Sequence, residues 1–140
     1  MKWVKQSIHY WCPDTKEHKF LGQNVTVAIL DTGISPHPDF KGRILSFRDF
    51  SSTTGSSEKV LFSFSHFSPL IDNSGHGTHV AGILAGSGLL CSGTYAGIAP
   101  FCNLIIGKVL DQNGNGSIKN VINGNQWIRD IYTQFHIRII

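Results

Sequence analysis

His76 stands between two glycines in the segment Gly75-His76-Gly77-Thr78-His79-Val80-Ala81-Gly82. An imidazole in that setting can offer one ring nitrogen to a hydroxyl and the other to an orienting carboxylate, the two contacts a general acid–base histidine needs. Asp31 supplies a candidate carboxylate. It closes the apolar run Val25-Thr26-Val27-Ala28-Ile29-Leu30, and open α/β sheets build their sites at the carboxyl ends of such strands. Acid and imidazole are two parts of a Ser-His-Asp apparatus. A serine in a recognisable nucleophile turn is absent: Gly77-Thr78 is followed by His79, and Gly93-Thr94 by Tyr95. Each residue alone has a plainer role, since aspartates commonly turn a chain after a strand and histidines commonly border helices. His79 is read in that plainer way, as a helix residue packed or hydrogen-bonded inside. His9, His18, His37, His66 and His136 lack a supporting context.

The elements that must position the pair follow from patterning. Val25–Leu30 is too continuously apolar for a half-exposed strand and reads as a buried strand of a parallel sheet. Asn103–Leu110 is a second such strand, and Arg43–Phe50 a shorter one. Pro36 and Pro38 make 36–39 a loop. Small residues over Thr78–Ala85 form a helix able to pack closely. Ser117 caps a further helix, in which Ile118, Val121, Ile122, Asn125, Ile128 and Ile131 recur mainly at spacings of three and four. Phe135–Ile140 opens another strand. Ser51–Lys59 is a polar loop, and Phe62–Phe67 alternates as a brief extended piece. Strands alternating with helices define an α/β class with right-handed crossovers.

Two segments carry a family resemblance. Val27-Ala28-Ile29-Leu30-Asp31-Thr32-Gly33-Ile34, followed by Pro36-His37-Pro38-Asp39-Phe40, resembles the catalytic-aspartate motif of the subtilisin-like serine peptidases (subtilases), and Gly75–Gly82 resembles their catalytic-histidine motif. Gly97-Ile98-Ala99-Pro100, Lys108-Val109-Leu110 and Gly114-Asn115-Gly116-Ser117 are similar to the family's next stretch, in which a strand leads to a turn that pairs with substrate backbone. Ile122-Asn123-Gly124 with Trp127 is similar to the helix after it. The likeness runs from about residue 20 to Ile140.

That resemblance implies a three-layer α/β fold with a mainly parallel sheet, truncated before its C-terminal half. Residues 1–21 would be a lead-in segment and 22–140 a partial peptidase domain. It implies that Asp31 orients His76, the general acid/base. Leu110, Gly114, Asn115, Gly116 and Ile118 would line a groove for an extended peptide, whose backbone pairs with little sequence demand. No cofactor is required for the chemistry. Asp39 matches a position that supplies a calcium ligand in many secreted members, so structural calcium is the one metal the resemblance raises. The loop Gly86–Gly93 departs from that pattern, having no acidic or amide side chain. This departure, with no secretory signal in sight, makes the chain similar to the intracellular bacterial branch. The family's oxyanion asparagine and its serine turn would both fall after Ile140. The 140-residue chain alone is therefore expected to be inactive, with the missing C-terminal half as its partner.

Composition narrows the alternatives. A 140-residue chain with 41% hydrophobic content suits one globular domain with a real core. No apolar run reaches the roughly 18 residues that would span a membrane. The net charge of +3 is spread over scattered lysines and arginines, not the basic stripe of a nucleic-acid reader. Cys12, Cys91 and Cys102 are an odd set without a C-x-x-C pair, as in reduced cytoplasmic proteins. Peptide or protein substrates, no nucleic acid, no membrane and a cytoplasmic location are the resulting expectations. A retroviral-type aspartic peptidase would use Asp31-Thr32-Gly33 with Leu104-Ile105-Ile106-Gly107, but it needs an all-β fold, and residues 117–133 read as helix. A module that binds peptide in the same groove without cutting it is a stronger rival. Zinc held by His76, His79, Cys91 and Cys102 matches no known spacing, because His-x-x-His lacks the i, i+4 facing of a zinc helix.

Overall fold

The structure, a computed structural model, describes residues 2–10, 20–51, 60–61 and 71–140. Two buried strands form its centre. β1 (Thr26–Asp31) runs parallel to β4 (Asn103–Lys108), in register from Thr26 opposite Asn103 to Asp31 opposite Lys108. β2 (Ile44–Asp49) lies parallel on the far side of β4. β5 (Ile137–Ile139) is parallel to β1 at one edge, and the two-residue β3 (Val60–Leu61) is antiparallel at the other. The order among the described strands is β3-β2-β4-β1-β5.

Side chains alternate across a strand, and this alternation builds the layers. Val27 and Ile29 of β1, with Leu104 and Ile106 of β4, pack against Ala81 and Ala85 of helix α2 (His76–Ala85). The intervening Ala28 and Ile105 pack against Trp127, Ile128 and Ile131 of helix α3 (Ile118–Phe135). The result is helix, sheet, helix, the three-layer α/β fold expected. Asp31 continues the Val27–Ile29 parity, so its carboxylate belongs to the face on which α2 begins. The all-β fold that an aspartic peptidase requires is excluded.

α3 packs closely on the sheet because a glycine faces the sheet's side chains. A Cβ on Gly124 of α3 would come within 2.9 Å of Val109 and 3.0 Å of Leu30. Ser117 caps α3 as expected, its hydroxyl accepting from the Asn120 N–H. The helix extends to Phe135, further than anticipated, and His136 in the left-handed region ends it. β5 is accordingly only three residues long. α2 also starts earlier than expected, at His76 itself. A short helix, α1 (Lys2–Ser7), leads the chain. Lys5 Nζ donates to the Gly97 carbonyl at 2.7 Å and the Tyr10 hydroxyl to the Ile98 carbonyl at 2.8 Å, tying this segment to the loop after α2.

The extended piece at 62–67, the loop over 52–59, Cys12, His18 and His66 lie outside the described residues. Among the described residues, no helix is long and apolar enough to cross a membrane.

Candidate active site

Asp31 and His76 meet. His76 Nδ1 lies 2.8 Å from Asp31 Oδ1, although 45 residues separate them in the chain. The carboxylate is sheltered, its side chain 12% exposed, whereas the imidazole is 63% exposed. Asp31 Oδ1 also accepts the Thr32 N–H at 2.7 Å, which fixes the carboxylate's rotation. The hydrogen bond to Asp31, then the charge of Asp31, raises the imidazole above its ordinary value of 6.5. With Nδ1 occupied by the acid, Nε2 on the other side of an exposed ring is the nitrogen left to take a proton.

The glycines have a steric task. Gly75 occupies the left-handed region (φ 83°), turning the chain into α2 so that His76 is the first helical residue. Gly77 lies against the Asp31-Thr32-Gly33 corner: a Cβ on Gly77 would stand 2.3 Å from the Gly33 carbonyl oxygen. Gly33 has φ 117° and would itself collide with the Ile71 carbonyl at 2.1 Å. No side chain fits at either position, so the two segments can close on each other only as glycines.

Sequence reasoning missed two residues of this corner. Lys108 is 6% exposed, and its Nζ donates to the carbonyls of Thr32 (2.6 Å) and Leu110 (2.8 Å). It binds the end of β4 to the loop after Asp31. Asp72 receives hydrogen bonds from Thr32, Ser74, Gly75 and Thr78. A polar residue closing an apolar run was the only signal for Lys108, and an acid four positions before His76 the only one for Asp72.

The expected groove residues follow β4 at the same sheet end. The Leu110 N–H donates to the Asp31 carbonyl at 3.2 Å, which holds the segment beside the acid. Asp111 shapes the turn, accepting from the N–H groups of Asn113 and Asn115. Gly114, Asn115 and Gly116 are exposed on it, and Ile118 is 81% exposed at the start of α3. His79 is exposed on α2, not packed inside, because the buried stripe of that helix is Gly77, Ala81 and Ala85. His37 caps the short turn Pro38–Phe40 through its ring nitrogen.

At Asp39 the carboxylate is met by hydrogen-bond donors. Its Oδ1 accepts from Ser87 Oγ and the Leu89 N–H, and its Oδ2 from the Gly88 N–H, all at 3.1 Å. Calcium requires a shell of oxygen lone pairs, whereas this carboxylate faces hydrogens. The Arg43 guanidinium adds a positive charge beside it, donating to the carbonyls of Asp39, Ala85 and Cys102. Among the described residues, no three His, Cys, Asp or Glu side chains converge to hold a metal.

The subtilase family model matches residues 22–140. The chain belongs to the subtilase family. Serine protease AprX of Bacillus subtilis is 46% identical over 106 residues, covering 76% of this chain and 21% of that protein. The major intracellular serine protease of the same species is 40% identical over 105 residues, covering 74% and 30%. Among solved structures, sphericase superposes with a TM-score of 0.68 at 28% identity, covering 84% of this chain and 36% of that one. This subtilase chain therefore spans between a fifth and a third of the two curated relatives' length.

Proposed function

We propose that the chain carries the acid and the base of a peptide-hydrolysing triad, and that the attacking serine comes from polypeptide outside these 140 residues. The observation that carries this is the 2.8 Å contact between Asp31 and His76 on an otherwise exposed ring. His76 removes the proton of the serine hydroxyl as it attacks the scissile carbonyl, then passes that proton to the leaving amine. Asp31 holds the ring in the tautomer with Nδ1 protonated and stabilises the imidazolium that forms. An extended peptide or protein segment lies along Leu110, Gly114, Asn115, Gly116 and Ile118 as an added strand. Without nucleophile and oxyanion donors, both the covalent step and the main electrostatic stabilisation are lost, so the 140-residue chain alone does not turn over peptides.

The corner at Asp39 works without calcium in this reading, and its hydrogen-bond donors support that. A cytoplasmic setting is supported by the kinship to a protease named as intracellular. The test is fluorophosphonate labelling of the 140-residue chain and of the product of its complete reading frame. Labelling of the complete product, abolished by His76→Ala, is the expected result. Labelling or turnover by the 140-residue chain would overturn the division of the triad.

A further inference from the structure

Asp72 lies beside the pair, its charge helping to raise the His76 ring, and it gathers five hydrogen bonds. Oδ1 accepts from the Thr32 hydroxyl (2.8 Å) and from the N–H groups of Ser74 (3.2 Å) and Gly75 (2.8 Å). Oδ2 accepts from the Thr78 N–H (2.8 Å) and the Thr78 hydroxyl (2.5 Å). An ionised carboxylate only accepts. Each threonine must therefore direct its single hydroxyl proton at Asp72, which leaves its oxygen lone pairs free elsewhere.

Those lone pairs meet donors from across the site. Thr32 Oγ1 accepts the Gly77 N–H at 2.9 Å, and Thr78 Oγ1 accepts the Ser35 N–H at 2.9 Å. Thr32 adjoins Asp31, and Gly77 adjoins His76. Both hydroxyls thus bridge the loop after β1 to the first turn of α2, one in each direction, and Asp72 sets the polarity of both bridges. We infer that Asp72 is a positioning residue that fixes the Asp31–His76 separation by orienting the hydroxyls of Thr32 and Thr78. Its charge persists through the range in which an imidazole titrates. Burial pushes the carboxyl up, but the hydrogen bonds from Thr78, Thr32 and Gly75 outweigh it and bring it down to about 2.

The consequence for rate rests on the peptidase reading; the consequence for geometry does not. The experiment is a pH titration of the His76 ring by NMR in the product of the complete reading frame, with Thr32→Val, Thr32→Ser and Asp72→Asn variants. Thr32→Val removes a hydroxyl without changing charge. It is expected to erase the far-downfield Nδ1 proton of the paired ring and return its pKa toward about 6.5, while Thr32→Ser keeps both. Asp72→Asn also removes a charge that itself raises the ring, so its informative signal is loss of the far-downfield Nδ1 proton, as in Thr32→Val. A folded Thr32→Val protein with both signals intact overturns the proposal, because a residue of merely local structural value would leave them in place. If Thr32→Val does not fold, Thr78→Val puts the same question through the other bridge, and a folded Thr78→Val protein with both signals intact overturns the proposal equally. Failure of the peptidase reading would look different, with no paired signal in the unmodified protein.

Discussion

Gly33 and Gly77 are in backbone contact: a methyl group on Gly77 would stand 2.3 Å from the Gly33 carbonyl oxygen. This contact lets the residue after Thr32 and the residue after His76 share one small volume. Gly77→Ala must push the start of α2 away from the end of β1. Overpacking of this kind costs about 1–3 kcal/mol, and the expected outcome is a fall of that size in urea denaturation together with loss of the Asp31–His76 contact. Unchanged stability and an unchanged His76 signal would mean that the two segments are not closed as described.

Lys108 holds two carbonyls in a buried place. Lys108→Met keeps an unbranched side chain one atom shorter but leaves the oxygens of Thr32 and Leu110 without this donor. An unsatisfied buried acceptor costs roughly 1–3 kcal/mol, which applies to the Thr32 carbonyl; that of Leu110 is only part-buried. A drop in denaturation midpoint is expected, accompanied by faster amide exchange at Val109 and Leu110, whose N–H groups bond the Asp31 carbonyl.

Acid sensitivity has a specific source in Asp72. Its folded value of about 2 lies below the ordinary 3.8, so the unfolded chain takes up that proton more readily. Its contribution is present above pH 4 or so and disappears as pH falls from there toward 2. In Asp72→Asn this arm of the stability–pH curve flattens, which urea midpoints measured from pH 2 to 6 would reveal. An identical acid arm in the variant would assign the loss to other carboxylates.

Chelation should leave the protein unmoved. Asp39 is met by N–H and O–H donors from Ser87, Gly88 and Leu89, so excess EDTA is expected to leave Tm unchanged and added calcium to leave it unraised. Asp39→Ala, by contrast, should lower Tm by releasing the loop. A calcium-dependent rise in Tm that Asp39→Ala abolishes would contradict the hydrogen-bonded description of this corner.

Much of this was legible in the residues. Continuous apolar runs marked β1 and β4 because strands covered on both faces exclude polar side chains, and Ser117 marked the start of α3 because its hydroxyl satisfies a free helix N–H. The pairing of Asp31 with His76 followed from motifs, not from periodicity. Other features were hidden for physical reasons. Asp72 in Ile71-Asp72-Asn73-Ser74 looks like any turn aspartate; its partners Thr32 and Thr78 reach it only through tertiary contact. Lys108 reads as solvent-bound until the two carbonyls that hold it are in place. The burial of His79 was misjudged because α2 is rich in small residues on several sides, so composition did not reveal which stripe faces the sheet. The loop at Asp39 betrayed its lack of acidic and amide side chains in sequence, but not that its N–H groups and the Ser87 hydroxyl would turn inward to meet the carboxylate.

The ionisation of His76, followed by NMR in the product of the complete reading frame and in its Asp31→Asn variant, bears most directly on the acid–imidazole pair. The contact with Asp31 raises the ring above 6.5. Its stabilisation of the fold is therefore complete below pH 6.5 and fades as pH rises through the folded value, while under the proposed function hydrolysis, which needs the neutral ring, should increase over that same interval. The expected result is a single imidazole titrating above 6.5 with a far-downfield Nδ1 proton, both lost in Asp31→Asn. A ring that titrates near 6.5 in both proteins, with no such proton in either, would contradict the pairing and with it the assignment of these two residues to one catalytic apparatus.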